Sequence, residues 1–71
     1  MDSLSINLRS YRQEKGMSLR QLATRASVHH SYLSRIESGL QRADRISYGL
    51  LKGIAKALDV SVDELTGETT F

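Results

Sequence analysis

The chain has 71 residues, a formal net charge of +2, no cysteine and no proline. So short a chain forms one small domain with a thin core, and without thiols it has no disulfide framework and no thiolate metal site, in keeping with a reducing, cytoplasmic setting. Its apolar runs fall well short of the ~18 residues a membrane span needs, and residues 1–10 lack the basic leader and apolar block of a secretory signal.

Leu4, Leu8 and Tyr11 recur at helical spacing, which predicts an amphipathic helix over residues 4–15 with Ser3 as its cap. Gly16 suits the left-handed position that ends a helix. A second helix starts at "SLRQLA". Ser18 stands at the N-cap with Gln21 three residues on, the capping-box spacing, and Leu19, Leu22, Ala23 and Ala26 face inward. "SVH" leaves room only for a tight turn before a third helix over residues 30–38, closed by Gly39.

"LQRADRI" has no clean period and reads as a loop with room for one helical turn. Ser47 caps a fourth helix with a core face of Tyr48, Leu51, Ile54, Ala55 and Leu58. Gly49 and Gly53 lower its propensity by about 1 kcal/mol each and leave space for a neighbouring helix. Ser61 and Glu64 repeat the capping box for a fifth helix, with Leu65 inward, Gly67 as the stop and residues 67–71 as a frayed tail. The reading is all-α: one domain over residues 1–71 with its core in 4–66. Five short helices contain a helix-turn-helix unit over about residues 18–38.

The third helix has two chemically different sides. With His30 at zero, Ser34, Ser38, Ser31 and Arg35 fall near ~40°, ~80°, ~100° and ~140°, whereas Tyr32, Ile36 and Leu33 fall near ~200°, ~240° and ~300°. One side packs inward. The other presents an imidazole, small hydroxyls and a guanidinium, with no carboxylate to repel a polyanion. Arg35 can donate two hydrogen bonds to guanine, and serine accommodates donors or acceptors at a base edge. The Tyr32 hydroxyl can reach a phosphate while its ring packs beneath the helix. Glu37, near ~340°, points away from this arc and can reach back to Arg12 on the first helix. Charge is distributed to match. Residues 17–45 hold five arginines against Glu37 and Asp44, while residues 59–71 hold four acids and no base.

"LRSYRQEKGMSLRQLATRASVHHSYLSRIESG" and "GIAKALDVSVDEL" resemble the lambda-repressor-like, Cro/Xre-type helix-turn-helix family over about residues 4–66. The resemblance rests on Arg12, Gly16, Ser18, Leu22, Ala23, Val28, Tyr32, Ile36, Glu37, Gly39 and the closing "IAKALDVSVDEL". It implies a compact five-helix domain that binds double-stranded operator DNA as a dimer. It further implies base contacts at His29, His30, Ser31 and Arg35 with Ser34 nearby, backbone contacts at Ser18, at Ser38 and in the loop that follows, and an Arg12–Glu37 ion pair. The operator would be pseudo-palindromic and the protein a repressor.

The chain departs from the family pattern in four places. Ser27 stands where glycine is frequent, so the turn must hold a side chain at positive φ. His29 stands where Ser or Thr often caps the third helix; either the capping is weaker or His29 serves DNA. Leu19 replaces a frequent Gln and cannot make a side-chain phosphate contact, although backbone N–H groups there still can. The loop from Glu37 to Ser47 is about three residues longer than the common pattern and lacks its proline; Gln41, Arg42 and Arg45 can grip the phosphate backbone from it.

Other chemistries find little support. His29 and His30 are adjacent, their side chains would diverge on a helix, and no cysteine or nearby acid completes a metal set. No nucleophile, base and orienting acid converge, so neither an enzyme nor a cofactor is expected. The competing reading is a protein-interaction or antitoxin-like adaptor of the same fold, which would bind random duplex DNA poorly near physiological salt. Val60, Val62 and Leu65 either supply a dimer seam or close the core.

Overall fold

A computed structural model describes residues 3–67. The described residues form five α-helices and one 3-10 turn: α1 (Ser3–Glu14), α2 (Leu19–Ala26), α3 (His30–Glu37), the turn Ala43–Arg45, α4 (Tyr48–Ala57) and α5 (Val62–Thr66). They contain no strand. No helix among them is long and apolar enough to cross a membrane. Residues 68–71 of the expected tail lie outside the described residues, and Gly67 is the C-cap of α5 at φ 77°.

The N-termini follow local side-chain chemistry. Ser18 accepts from Gln21 N–H while Gln21 Oε1 accepts from Ser18 N–H, and Ser61 and Glu64 repeat the arrangement. Ser47 accepts from Leu50 N–H. These caps satisfy donors that helix geometry leaves without partners. Ser3 is not a cap, because α1 already includes it.

The C-termini share one device. The first four helices each end in a left-handed residue, Gly16, Ser27, Gly39 or Asp59, with the paired backbone bonds of a Schellman motif. The residue after each is apolar: Met17, Val28, Leu40 and Val60. Met17, Val28 and Val60 pack against the core, but Leu40 stays 72% exposed. Ser27, at φ 57°, holds a conformation that costs an L-residue roughly 1–2 kcal/mol. Ser27→Gly is therefore expected to raise stability by about 0.5–1 kcal/mol, after the entropy that glycine loses on folding. Chemical denaturation measures this, and a lower midpoint would show that the serine side chain offsets its own strain.

The core gathers Leu4 and Leu8 of α1, Leu22 and Ala23 of α2, and Leu33 and Ile36 of α3. Ile46, then Leu51, Ile54, Ala55 and Leu58, and Leu65 of α5 complete it. α2 packs on α4, while α1 bridges α3 and α5. A Cβ on Gly53 would stand 3.6 Å from the Ala26 carbonyl, so the glycine lets α4 lie close under the end of α2. Gly49 faces open space and serves no such approach. Tyr48 also departs from its expected core place. It is 66% exposed on the rim of a groove between α4 and α5, and Ile46 from the preceding loop enters the core instead. Val60 and Val62 pack against the core and so help to close it.

Polar contacts fix α1 against its neighbours. Ser5, buried, donates through its hydroxyl to the Glu37 carbonyl, and Asn7 donates to the carbonyls of Glu64 and Leu65 at 3.3 Å each. α1 thereby sets the position of the C-terminal end of α3.

Candidate nucleic-acid interface

α3 is anchored from beneath by Leu33 and Ile36, both fully buried, and by Tyr32, which is half-buried against the core. The remaining arc is open. Ser31, Arg35 and Ser38 are exposed, and His30 and Ser34 are half-buried. Ser38 is the C-cap, one residue beyond the end of α3; its hydroxyl donates to the Ser34 carbonyl at 2.9 Å. Among the described residues, no carboxylate pairs with Arg35.

Glu37 is the one acid of α3, and it is held elsewhere. Its two carboxylate oxygens accept from Arg12 Nε at 2.6 Å and Nη2 at 3.1 Å, a bidentate pair with side chains only 15% and 10% exposed. Arg12 also donates to the Met17 carbonyl at 2.8 Å. Hydrogen bonding to Glu37 raises the Arg12 pKa above its ordinary value, against the opposing effect of burial, so the guanidinium stays charged. The pair joins α1 to the end of α3 and removes the negative charge from the surface that α3 presents.

The turn between α2 and α3 shapes the other end of the arc. His29 is the N-cap of α3 with extended backbone and makes no side-chain cap hydrogen bond. Its Nδ1 lies 2.9 Å from Ser31 Oγ, and its ring stacks on His30 with centroids 5.4 Å apart and planes 20° apart. Divergence of the two imidazoles holds only when both residues are helical; the extended backbone of His29 brings them together instead. The stack places two nitrogen heterocycles beside Ser31 at the start of α3. Among the described residues, no group of three His, Cys, Asp or Glu is arranged to hold a metal ion.

Ser18 stands exposed at the start of α2. Its hydroxyl accepts the Gln21 N–H, and helix geometry leaves the Leu19 and Arg20 N–H groups without intrahelical acceptors. The loop residues form a separate region. Arg42 and Asp44 line a cleft with Ser3, Leu4, Thr66 and Gly67, at the ends of α1 and α5 rather than against Arg35. Their ion pair, 3.7 Å between two highly exposed side chains, restrains Arg42 weakly. Arg45 is exposed in the 3-10 turn and Gln41 is half-buried.

The structure also brings forward a residue that sequence patterning passed over. Arg9, exposed on α1, lines a concavity of about 230 Å³ with Leu19 of α2 and with Ser34, Glu37 and Ser38 of α3. Periodicity marks Arg9 only as lying off the core stripe of α1. Nothing local shows that this side chain shares a concavity with the start of α2 and the end of α3.

Residues 8–65 match the family described as helix-turn-helix. The chain is 46% identical over 61 residues to the HTH-type transcriptional regulator SinR of Bacillus licheniformis and to that of Bacillus subtilis. The match covers 86% of this chain and 53% of each relative, so the chain spans about half their length. A crystal structure of SinR, described as the master regulator for biofilm formation and solved in complex with DNA, superposes with a TM-score of 0.81 at 44% identity. That alignment covers 87% of this chain and 95% of the solved one.

Proposed function

Because the chain belongs to the Cro/Xre-type helix-turn-helix family, we propose that it binds operator DNA sequence-specifically as a transcriptional regulator, acting as a repressor in the cytoplasm. α3 enters the major groove and α2 crosses the backbone. His29, His30, Ser31, Ser34 and Arg35 face base edges, and Ser18, Tyr32, Ser38, Gln41, Arg42 and Arg45 face phosphates. Residues 1–71 act as one DNA-binding domain without catalytic activity or a cofactor. SinR, solved with DNA, supports the choice of partner.

One observation carries this reading: the outward arc of α3 is free of acid because Glu37, the one acid of that helix, is turned inward onto Arg12. Such a surface approaches a polyanion without electrostatic cost. Two copies on a pseudo-palindrome would place their α3 helices about 34 Å apart, one DNA turn. The domain measures 32 × 22 × 21 Å, so two copies at that spacing can meet side by side.

Selection of bound sequences from a random duplex pool tests the proposal. Recovered half-sites separated by one helical turn are the expected result; a pool that never enriches would refute it. Within the same framework, Arg42→Ala is expected to weaken binding to all sequences alike and to reduce the salt slope by about one. Titrations on selected and random duplexes check this. A change in sequence preference would move Arg42 from the phosphates to the bases.

A further inference from the structure

Arg9 of α1 shares a concavity with the outward arc of α3. Three helices supply the walls: Arg9 from α1, Leu19 from the first turn of α2, and Ser34, Glu37 and Ser38 from the end of α3. Leu19 offers no polar side-chain group. Among the described residues Glu37 is the only acid lining the concavity, and Arg12 grips both of its oxygens. Arg9 itself makes no ion pair or hydrogen bond through its side chain with any described residue. The remaining polar lining is hydroxyl, from Ser34 and Ser38. The Ser38 hydroxyl already donates to the Ser34 carbonyl, so a neutralised acid, an unengaged guanidinium and the Ser34 hydroxyl form a receptor for a single compact anion.

The hollow borders the reading surface, because Ser34 and Ser38 belong to both. An anion seated there while α3 lies in a groove is a phosphate of the flanking strand. Resting on the DNA-binding reading above, we propose that Arg9 seats one backbone phosphate in this hollow and so fixes how deeply α3 enters the groove. Arg9 makes no base contact. It acts as a positioning residue, and it supplies from α1 the side-chain phosphate contact that Leu19 cannot make from α2.

The test compares the full chain with its Arg9→Gln and Arg9→Lys variants on one duplex, across a salt series and on duplexes carrying a single neutral methylphosphonate at each position in turn. Arg9→Gln is expected to lower the slope of log K against log salt by about 0.9, so that between 50 and 200 mM salt it loses about three- to fourfold less affinity than the parent. Arg9→Lys keeps the slope. The parent protein loses affinity at one particular methylphosphonate in each half-site, and Arg9→Gln is indifferent to that position alone. The ranking of sequences stays unchanged, and so does the thermal midpoint, since Arg9 is exposed.

A lowered slope with the parental methylphosphonate profile would show Arg9 acting at long range and would overturn the seat. So would an Arg9→Gln slope equal to that of the parent. A parent protein that binds no duplex at all would remove the DNA-binding reading together with this one, a result easily told from the other two.

Discussion

Arg35→Ala is expected to weaken binding to a selected operator by about 1–3 kcal/mol, a loss of roughly five- to more than a hundredfold, and to relax preference at one base pair. The reason is geometric. Arg35 is exposed on the open arc of α3, and no described carboxylate competes for its guanidinium. Its planar fork matches guanine O6 and N7, and alanine reproduces neither bond. The substitution removes a directional contact along with one charge, so random duplex should lose much less affinity than the operator. Repeating the selection with the variant supplies the check. An unchanged half-site logo, with equal losses on operator and random DNA, would place Arg35 on a phosphate.

The second large effect falls on stability. Glu37→Leu should destabilise the domain by about 3 kcal/mol, because it strands the part-buried Arg12 guanidinium without its bidentate partner. For a domain of this size that corresponds to a fall of roughly 12–24 °C in Tm. Arg12→Met should also be costly, since it breaks the bond to the Met17 carbonyl as well. The combination of the two should cost less than their sum by at least about 1 kcal/mol, because it leaves no unpaired charge. Simple additivity in thermal denaturation would mean that the pair is geometric only.

DNA binding separates the two single variants. Arg12→Met frees a carboxylate into the hollow shared by Arg9, Ser34 and Ser38, whereas Glu37→Leu frees none. At a temperature where both remain folded, Arg12→Met should therefore bind duplex DNA more weakly than Glu37→Leu.

Much of this architecture was legible in the residues because it is local. Each capping serine satisfies donors within three residues of itself, so Ser18, Ser47 and Ser61 mark helix starts whatever lies around them. The spacing of Leu33 and Ile36 decides which side of α3 turns inward, and the opposite arc follows from helix geometry. The positive φ of Ser27 was expected from the resemblance, and the tight turn left little alternative. The pairing of Arg12 with Glu37 was visible from the orientation of Glu37 on its helix and from the same resemblance.

What escaped the sequence depends on neighbours distant along the chain. Tyr48 sits on the apolar stripe of α4 yet remains exposed, because periodicity gives the direction of a side chain and not what covers it. Ile46 lies in a segment without a period and is buried all the same. Asp59 adopts the left-handed conformation that would otherwise point to glycine, as the Schellman bonds and the packing of Val60 require at that helix end. The stack of His29 on His30 arises where an extended cap meets a helix. The Arg9 hollow exists only because packing gathers α1, the start of α2 and the end of α3 around one concavity. The amino-acid sequence by itself thus determined the helices, the serine-capped starts of α2, α4 and α5 and the outward chemistry of α3, since backbone hydrogen bonding and side-chain periodicity act over a few residues. Tertiary packing alone decided which surfaces are covered and which charges share a hollow, since those depend on contacts between helices far apart along the chain.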